Sequence, residues 1–333
     1  MNLYPFIRNF LFQLDPEKSH DLTLKLLQKS ELILPHSMPK LPKTVMGLSF
    51  PNPVGLAAGF DKNGDCIEGM GSLGFGFIEV GTITPRPQFG NAKPRLFRLE
   101  RDEAIINRMG FNNKGIDYLC NRLKKRRYQG IIGVNIGKNS DTPIENAIDD
   151  YKICFEKAYP LADYITLNIS SPNTTNLRSL QSGVLLENLL SEIKELHTRL
   201  AQQSQRYIPL VIKIAPDLTQ EEIVSLAEKL ITYKCDGVIA TNTTVERPLL
   251  RDEQSTQIGG LSGAPLMPLA TRVLESLHQF MDGSIPIIGV GGIMSADDAK
   301  AKIAVGADLV QVYTGLVYKG PSLVGDIIAA LKS

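Results

Sequence analysis

A chain of 333 residues, 43% hydrophobic, 21% charged and with formal net charge +1, has an ordinary globular composition, enough for one large domain or two medium ones. The near-zero charge offers no general electrostatic footprint for nucleic acid, and no apolar run reaches the roughly 18 residues that span a bilayer. Cys66, Cys120, Cys154 and Cys235 have neither zinc nor disulfide spacing and suit a reducing compartment.

The first 40 residues stand apart. Leu3, Phe6, Ile7, Phe10, Leu11 and Leu14 recur at helical spacing, and Leu22, Leu24, Leu26 and Leu27 form a second set. Between them Asp15 and Pro16 make an N-cap and first-turn pair. The spacing predicts a helical hairpin over 1–40 with more apolar surface than one buried stripe needs. It fits a cap on the following domain or an anchor on a membrane surface.

From residue 50 onward short apolar runs alternate with amphipathic stretches. Strands are expected at 54–58, 77–82, 131–136, 164–169, 210–214, 237–241, 286–290 and 309–313. Their near-continuous apolar character is that of strands covered on both faces. Helices are expected at 144–159, 185–203, 220–233, 265–281, 295–305 and 321–331, with Thr219 and Ser295 as N-caps. Eight such units over 41–333 imply a (β/α)₈ TIM barrel; a doubly wound sheet is the alternative. Polar residues end almost every strand rather than clustering at one switch point, which favours the barrel. The basic run 124–127 reads as a solvated helix end.

Several motifs fail on context. Gly69-Met-Gly-Ser-Leu-Gly74 matches G-x-G-x-x-G but precedes a strand, so it offers no helix N-terminus to a pyrophosphate. Asp61-Lys-Asn-Gly-Asp65 starts like a calcium loop, but Cys66 stands where glycine is needed and Ser72 where glutamate is needed. Three N-x-S/T matches lie without a secretory signal, two of them against strand ends. Ser171 has no triad partner: His20 and His36 lie in the N-terminal segment, while His197 and His278 lie on helices expected to face outward.

What remains is a polar mouth. Asn107, Asn135, Asn168, Asn173 and Asn242 each carry a donor and an acceptor, suited to a planar ring of alternating C=O and N–H groups. Lys62 and Lys213 stand at strand ends as cations for a carboxylate or developing negative charge. Glycine-bearing segments 288–293 and 311–315 end strands seven and eight, after which the loops are the usual phosphate grip of such barrels, and 259–263 is expected as a third glycine-rich loop nearby. The residues alone suit a flavin mononucleotide or a sugar phosphate.

Ala57-Ala-Gly-Phe-Asp-Lys62, Asn107-Arg-Met-Gly-Phe-Asn112, Asn168-Ile-Ser-Ser-Pro-Asn-Thr174, Gly259-Gly-Leu-Ser-Gly263 and Val290-Gly-Gly-Ile293 together resemble the dihydroorotate dehydrogenase family, in order along the whole chain. The N-terminal hairpin, with Asp15-Pro-Glu-Lys-Ser-His20, resembles the quinone-reducing, membrane-associated class. The resemblance implies oxidation of dihydroorotate to orotate with FMN in pyrimidine biosynthesis, with electrons passed to a membrane quinone. Ser171 would be the base for the C5 proton, where the soluble class uses cysteine, with Thr174 relaying the proton and Phe111 shielding the site. Lys62, Asn107, Arg108, Met109, Gly110, Phe111, Asn168, Asn173, Asn242 and Thr243 would surround the substrate. Ala58, Gly59, Phe60, Asp61, Lys62, Thr82, Asn135, Asn168, Lys213, Thr241, Gly263, Gly292, Tyr313 and Thr314 would hold FMN. His20, Arg98 and Tyr313 would line the quinone approach.

The same resemblance, without a targeting presequence, implies peripheral attachment to a bacterial inner membrane on its cytoplasmic side, with no metal and no nucleic acid as partner. Asn176 departs from the family, which has glycine there; a left-handed backbone is expected at that position, with asparagine the best substitute. Rival readings are a fumarate- or NAD-dependent relative, a non-flavin phosphate-binding barrel, and an inactive membrane-surface module.

Overall fold

The computed structural model describes residues 4–30 and 40–332. Of the expected hairpin, residues 1–3 and 31–39, with Leu3 and His36, lie outside the described residues. The remainder forms α1 (Tyr4–Phe12) and α2 (Pro16–Ser30). Asp15 caps α2 as expected: its Oδ1 accepts from the N–H of Glu17 at 3.1 Å and of Lys18 at 3.0 Å.

A hairpin of β1 (Lys43–Val45) and β2 (Leu48–Phe50) leads into β3 (Val54–Leu56), α3 (Ile67–Gly71) and β4 (Phe77–Ile83). An excursion, β5 (Leu96–Leu99) and β6 (Ala104–Asn107), precedes α4 (Ile116–Leu123) and β7 (Ile131–Ile136). The alternation continues through α5 (Ala147–Ala158), β8 (Tyr164–Asn168), α6 (Gly183–Ser204), β9 (Leu210–Ile214), α7 (Gln220–Thr232) and β10 (Gly237–Ala240). After β11 (Gly260–Gly263) come α8 (Met267–Met281), β12 (Ile287–Val290), α9 (Ala296–Ala304), β13 (Leu309–Val312), α10 (Thr314–Lys319) and α11 (Ser322–Lys332).

Strands β3, β4, β7, β8, β9, β10, β12 and β13 close into a barrel with every neighbouring pair parallel. These are the eight expected strands, each end within two residues of its expected place. The barrel floor is filled by large rings set against glycines. A Cβ on Gly55 would lie 2.3 Å from the Phe77 ring, and one on Gly133 would lie 2.1 Å from the Tyr164 ring. Phe50 of the hairpin plugs the floor, with its ring centroid 5.2 Å from that of Phe77. Above the filled floor come the buried polar side chains of Glu79 and Gln311, and then those at the C-terminal ends of the strands.

Helix starts follow their chemistry. Thr219 and Glu222 form a capping box, with Glu222 N to Thr219 Oγ1 at 3.2 Å and Thr219 N to Glu222 Oε2 at 2.8 Å. Ser295 Oγ accepts from Asp298 N at 3.2 Å.

Two expectations are corrected. The segment 259–263 is not simply a loop: β11 pairs with β6, which pairs with β5, in an antiparallel sheet lying beside the barrel mouth. Glycine is a poor strand residue, which hides the strand, yet its missing Cβ permits the approach. A Cβ on Gly260 would lie 1.9 Å from Thr243 Oγ1, and one on Gly259 would lie 2.3 Å from Asn107 O. His197 does not face outward. It is buried among Phe155, Tyr159 and Tyr207, with the Tyr207 ring at 4.7 Å, and burial draws its pKa down to about 4. His278 is exposed, as expected. The rejected glycine motif has a packing role, since a Cβ on Gly69 would sit 2.3 Å from Leu27 O; Gly69 lets α2 seat on α3.

Candidate active site

A cleft with about 1040 Å³ of empty space opens at the C-terminal ends of the strands, roofed by the β5–β6–β11 sheet. Its walls include Ala58, Gly59, Lys62, Thr82, Asn107, Met109, Gly110, Phe111, Asn168, Ser171 and Asn173 from the first half of the chain. Lys213, Thr241, Asn242, Thr243, Gly263, Gly292, Tyr313 and Thr314 come from the second half. Residues separated by up to about 250 positions therefore meet because the barrel brings every strand end to one rim.

The amides are held in a fixed donor–acceptor sense, and its origin is Glu79. This fully buried carboxylate accepts from Asn135 Nδ2 at 2.7 Å, Gln311 Nε2 at 2.8 Å and Tyr164 OH at 2.9 Å. A carboxylate only accepts, so it turns the Asn135 NH₂ inward and leaves Oδ1 facing Thr82. Thr82 Oγ1 donates to that oxygen at 2.6 Å and accepts from Asn168 Nδ2 at 2.8 Å. Asn168 Oδ1 then accepts from Ser170 Oγ at 3.1 Å and Asn242 Nδ2 at 3.2 Å. Glu79, Gln311 and Ser170 were not foreseen as parts of this arrangement. Ser170 is buried and links two amides, with Asn242 Nδ2 donating to its Oγ at 3.0 Å.

Ser171 lies on the cleft wall, its Oγ accepting from Asn173 N at 3.2 Å. Asn173 Nδ2 donates to Asn107 Oδ1 at 3.3 Å. Thr174 Oγ1 is buried and has no hydrogen-bond partner among the described residues. Phe111 holds a left-handed backbone, φ +53°, pinned through its carbonyl by Asn113 Nδ2 at 2.7 Å and Gln88 Nε2 at 3.1 Å. No histidine lines the cleft among the described residues.

Two cations serve this rim. Lys62 Nζ donates to Gly59 O at 2.8 Å, and burial, aided by the nearby Arg95 charge, lowers its pKa to about 8. Lys213 is buried on the cleft wall; desolvation lowers its pKa while the charge of Glu79 opposes the shift. Backbone fills the other side. A Cβ on Gly292 would sit 2.3 Å from Met267 Cα, and one on Gly315 would sit 2.2 Å from Ile293 O. These glycines therefore let the segments pack against Met267 and Ile293, and 291–293 and 313–315 both line the cleft, where backbone N–H groups suit an anionic group.

Besides Thr174, four expected residues do not line this cleft. Asp61 lies beneath it, its carboxylate taking the N–H of Asp65 at 2.9 Å and Cys66 at 2.8 Å, so it shapes the 58–62 turn. Asn135 stands behind Thr82. Phe60 lines a neighbouring cavity. The Arg108 side chain turns away: its guanidinium lies over the Phe97 ring at 4.6 Å and donates to Pro94 O and Ile258 O.

The neighbouring cavity, about 1240 Å³ of empty space, lies under α1 and α2 and is lined mainly by apolar side chains. His20, Arg98 and Tyr313 line it. Leu96, Ile105 and Tyr313 line both cavities. The rings of His20, Phe60 and Tyr313 form a continuous edge-to-face row, with centroids 5.1 Å and 5.3 Å apart. Burial holds His20 neutral, with a pKa of about 3. Arg98 donates to Leu11 O at 3.1 Å and Phe12 O at 3.0 Å, and also to Leu14 O.

Asn176, φ +55°, has the left-handed backbone expected of it. Its carbonyl accepts from Ser179 Oγ at 2.6 Å in the turn that follows.

Comparisons with known proteins agree with this geometry. A family model described as Dihydroorotate dehydrogenase matches residues 40–333. The chain is 57% identical to "Dihydroorotate dehydrogenase (quinone)" of Aeromonas hydrophila over 98% of this chain and 99% of that protein. It is 54% identical to the protein of the same name from Pectobacterium atrosepticum, over 98% of each. Among solved structures it resembles a DHODH from Eimeria tenella in complex with ferulenol, with TM-score 0.89 and 40% identity over 95% of this chain and 90% of that one. Matched along its whole length by relatives of this name, the chain belongs to the quinone-dependent dihydroorotate dehydrogenases and is an oxidoreductase.

Proposed function

We propose that this enzyme oxidises (S)-dihydroorotate to orotate in UMP biosynthesis with FMN as its flavin, and that the electrons leave through the second cavity to a membrane quinone. The observation that carries the reading is Ser171 set among the oriented amides of a cleft lined by no histidine among the described residues. Asn107, Asn168, Asn173 and Asn242 present a fixed sequence of donors and acceptors to a pyrimidine edge, with Thr243 beside them. Lys62 supplies the cation for the substrate carboxylate. Met109 and Gly110 close the wall.

Ser171 takes the C5 proton. A hydroxyl is a weak base near neutral pH, so it needs a proton outlet and a dry setting. The unpaired Thr174 hydroxyl supports the outlet, and Phe111, clamped in a strained backbone, supports the exclusion of water. The groups suited to FMN are Ala58 and Gly59, the Thr82 hydroxyl and Asn168 amide with Asn135 orienting them from behind, Lys213, Thr241, and the bare backbone at Gly263, Gly292, Tyr313 and Thr314. The glycine backbone at Gly291 and Gly292 on the cleft wall supports a phosphate there. When bound, FMN supplies the acceptor for the C6 hydride and passes electrons onward.

Residues 1–40 are proposed as the quinone and membrane unit and 41–333 as the catalytic barrel. Support comes from α1, which buries none of its residues and exposes Phe6, Ile7 and Phe10, with Leu26 of α2 beside them. No helix among the described residues is long and apolar enough to cross a membrane, so attachment is proposed as peripheral, on the cytoplasmic side of a bacterial inner membrane.

Stopped-flow reduction of the flavin by dihydroorotate tests the role of Ser171. In Ser171→Ala the rate should fall by orders of magnitude while orotate still binds. Near-normal reduction overturns the assignment.

A further inference from the structure

We propose that Arg95 is a positioning residue for the substrate loops, fixed by Glu17 of α2, so that seating of the N-terminal hairpin and affinity for substrate are coupled. The inference rests on the dihydroorotate reading of the cleft, which neither residue lines.

Arg95 and Glu17 are both buried, at 5% and 8% exposure, at the junction between α2 and the start of β5. Arg95 Nη2 donates to Glu17 Oε1 at 2.7 Å and Nε donates to Oε2 at 3.2 Å, a two-point pairing that sets the plane of the guanidinium. Lys93 also reaches Glu17, at 3.1 Å, but from an exposed position that fixes little. With Nε and Nη2 committed to α2, Nη1 points the other way and donates to Phe89 O at 2.6 Å and Asn91 O at 2.8 Å. One planar group thus clamps a helix of the hairpin to the loop 89–91.

That loop touches the substrate wall. Asn91 N donates to Met109 O at 3.1 Å, and Asn91 Nδ2 donates to Arg108 O at 3.0 Å and to Asn173 O at 3.3 Å. The fit has no slack. A Cβ on Gly90, φ +76°, would meet Met109 O at 2.2 Å and Arg95 Nη1 at 2.8 Å, and one on Gly110 would meet the Asn91 side chain at 2.8 Å. The route is therefore α2, Glu17, Arg95, Asn91, and then the backbone of residues 109–110 and 173, two segments of the substrate wall. Any event that lifts α2 withdraws the clamp and loosens that wall. By linkage, bound substrate favours the seated hairpin by the same factor.

The test uses the full-length, flavin-loaded enzyme and reads the orotate dissociation constant from the flavin spectrum. Glu17→Gln keeps the shape but weakens the pairing with Arg95, and should raise the constant about tenfold. Asn91→Ala, at an exposed position that keeps the variant folded, should raise it similarly. KM for dihydroorotate should rise in step, while flavin reduction at saturating substrate changes by less than about twofold. The double variant should be no weaker than the weaker single one, because both changes break one route.

A purely structural pair would lower the melting temperature and leave the orotate constant alone. Unchanged orotate binding in Asn91→Ala, or effects that multiply in the double variant, overturns the inference while wild-type binding upholds the function. Wild-type enzyme that binds no orotate overturns both.

Discussion

At Lys62 a cation is kept where water is scarce. Its burial and the neighbouring Arg95 bring its pKa down to about 8, so its charge is complete below that pH and is lost above it. If Lys62 holds the substrate carboxylate, orotate, which involves no proton abstraction, should bind about tenfold more weakly at pH 9 than at pH 7, with a break near 8. Lys62→Met should bind weakly with no such break. Spectral titration from pH 6.5 to 9.5 checks both; a flat wild-type profile contradicts the role. The same scale explains why part of the site was hidden. Asn168 or Ser171 announces itself by ending an apolar run, whereas Glu79, Gln311 and Arg95 gain meaning only from the residues across the barrel or across a loop.

At the scale of elements, the parallel strands were legible because each is buried on both faces and reads as a short apolar run. The capped helices were legible through Asp15, Thr219 and Ser295. The β5–β6–β11 sheet was not, because β11 is half glycine and its strand character comes from its neighbours. The ring cluster around His197 likewise depends on tertiary packing, not on the period of α6. Helix α1 shows the reverse. Its apolar pattern was plain, yet it holds to α10 by Tyr4 OH to Val317 O at 2.7 Å, Arg8 Nη1 to Tyr318 O at 3.1 Å and the Phe12 ring against Tyr318, while Phe6, Ile7 and Phe10 stay exposed. The outward apolar face is thereby left free. In Phe10→Glu, sedimentation with liposomes should fall severalfold, and quinone turnover with it, while flavin reduction by dihydroorotate stays as in wild type. Unchanged liposome binding contradicts the anchoring role.

Across the whole molecule, two cavities of different character meet at Leu96, Ile105 and Tyr313. One is ringed by oriented amides with buried Lys213 and half-buried Lys62, and the other is apolar beneath exposed hydrophobic helices. This division suits an enzyme whose two half-reactions use a polar, anionic substrate and an apolar acceptor, with the flavin between them. The most direct measurement separates those halves in an anaerobic double-mixing experiment. Dihydroorotate should bleach the flavin band, and a soluble quinone should restore it far faster than fumarate or NAD⁺. A flavin left oxidised by dihydroorotate, or one restored as quickly by NAD⁺ as by quinone, would contradict this division of labour.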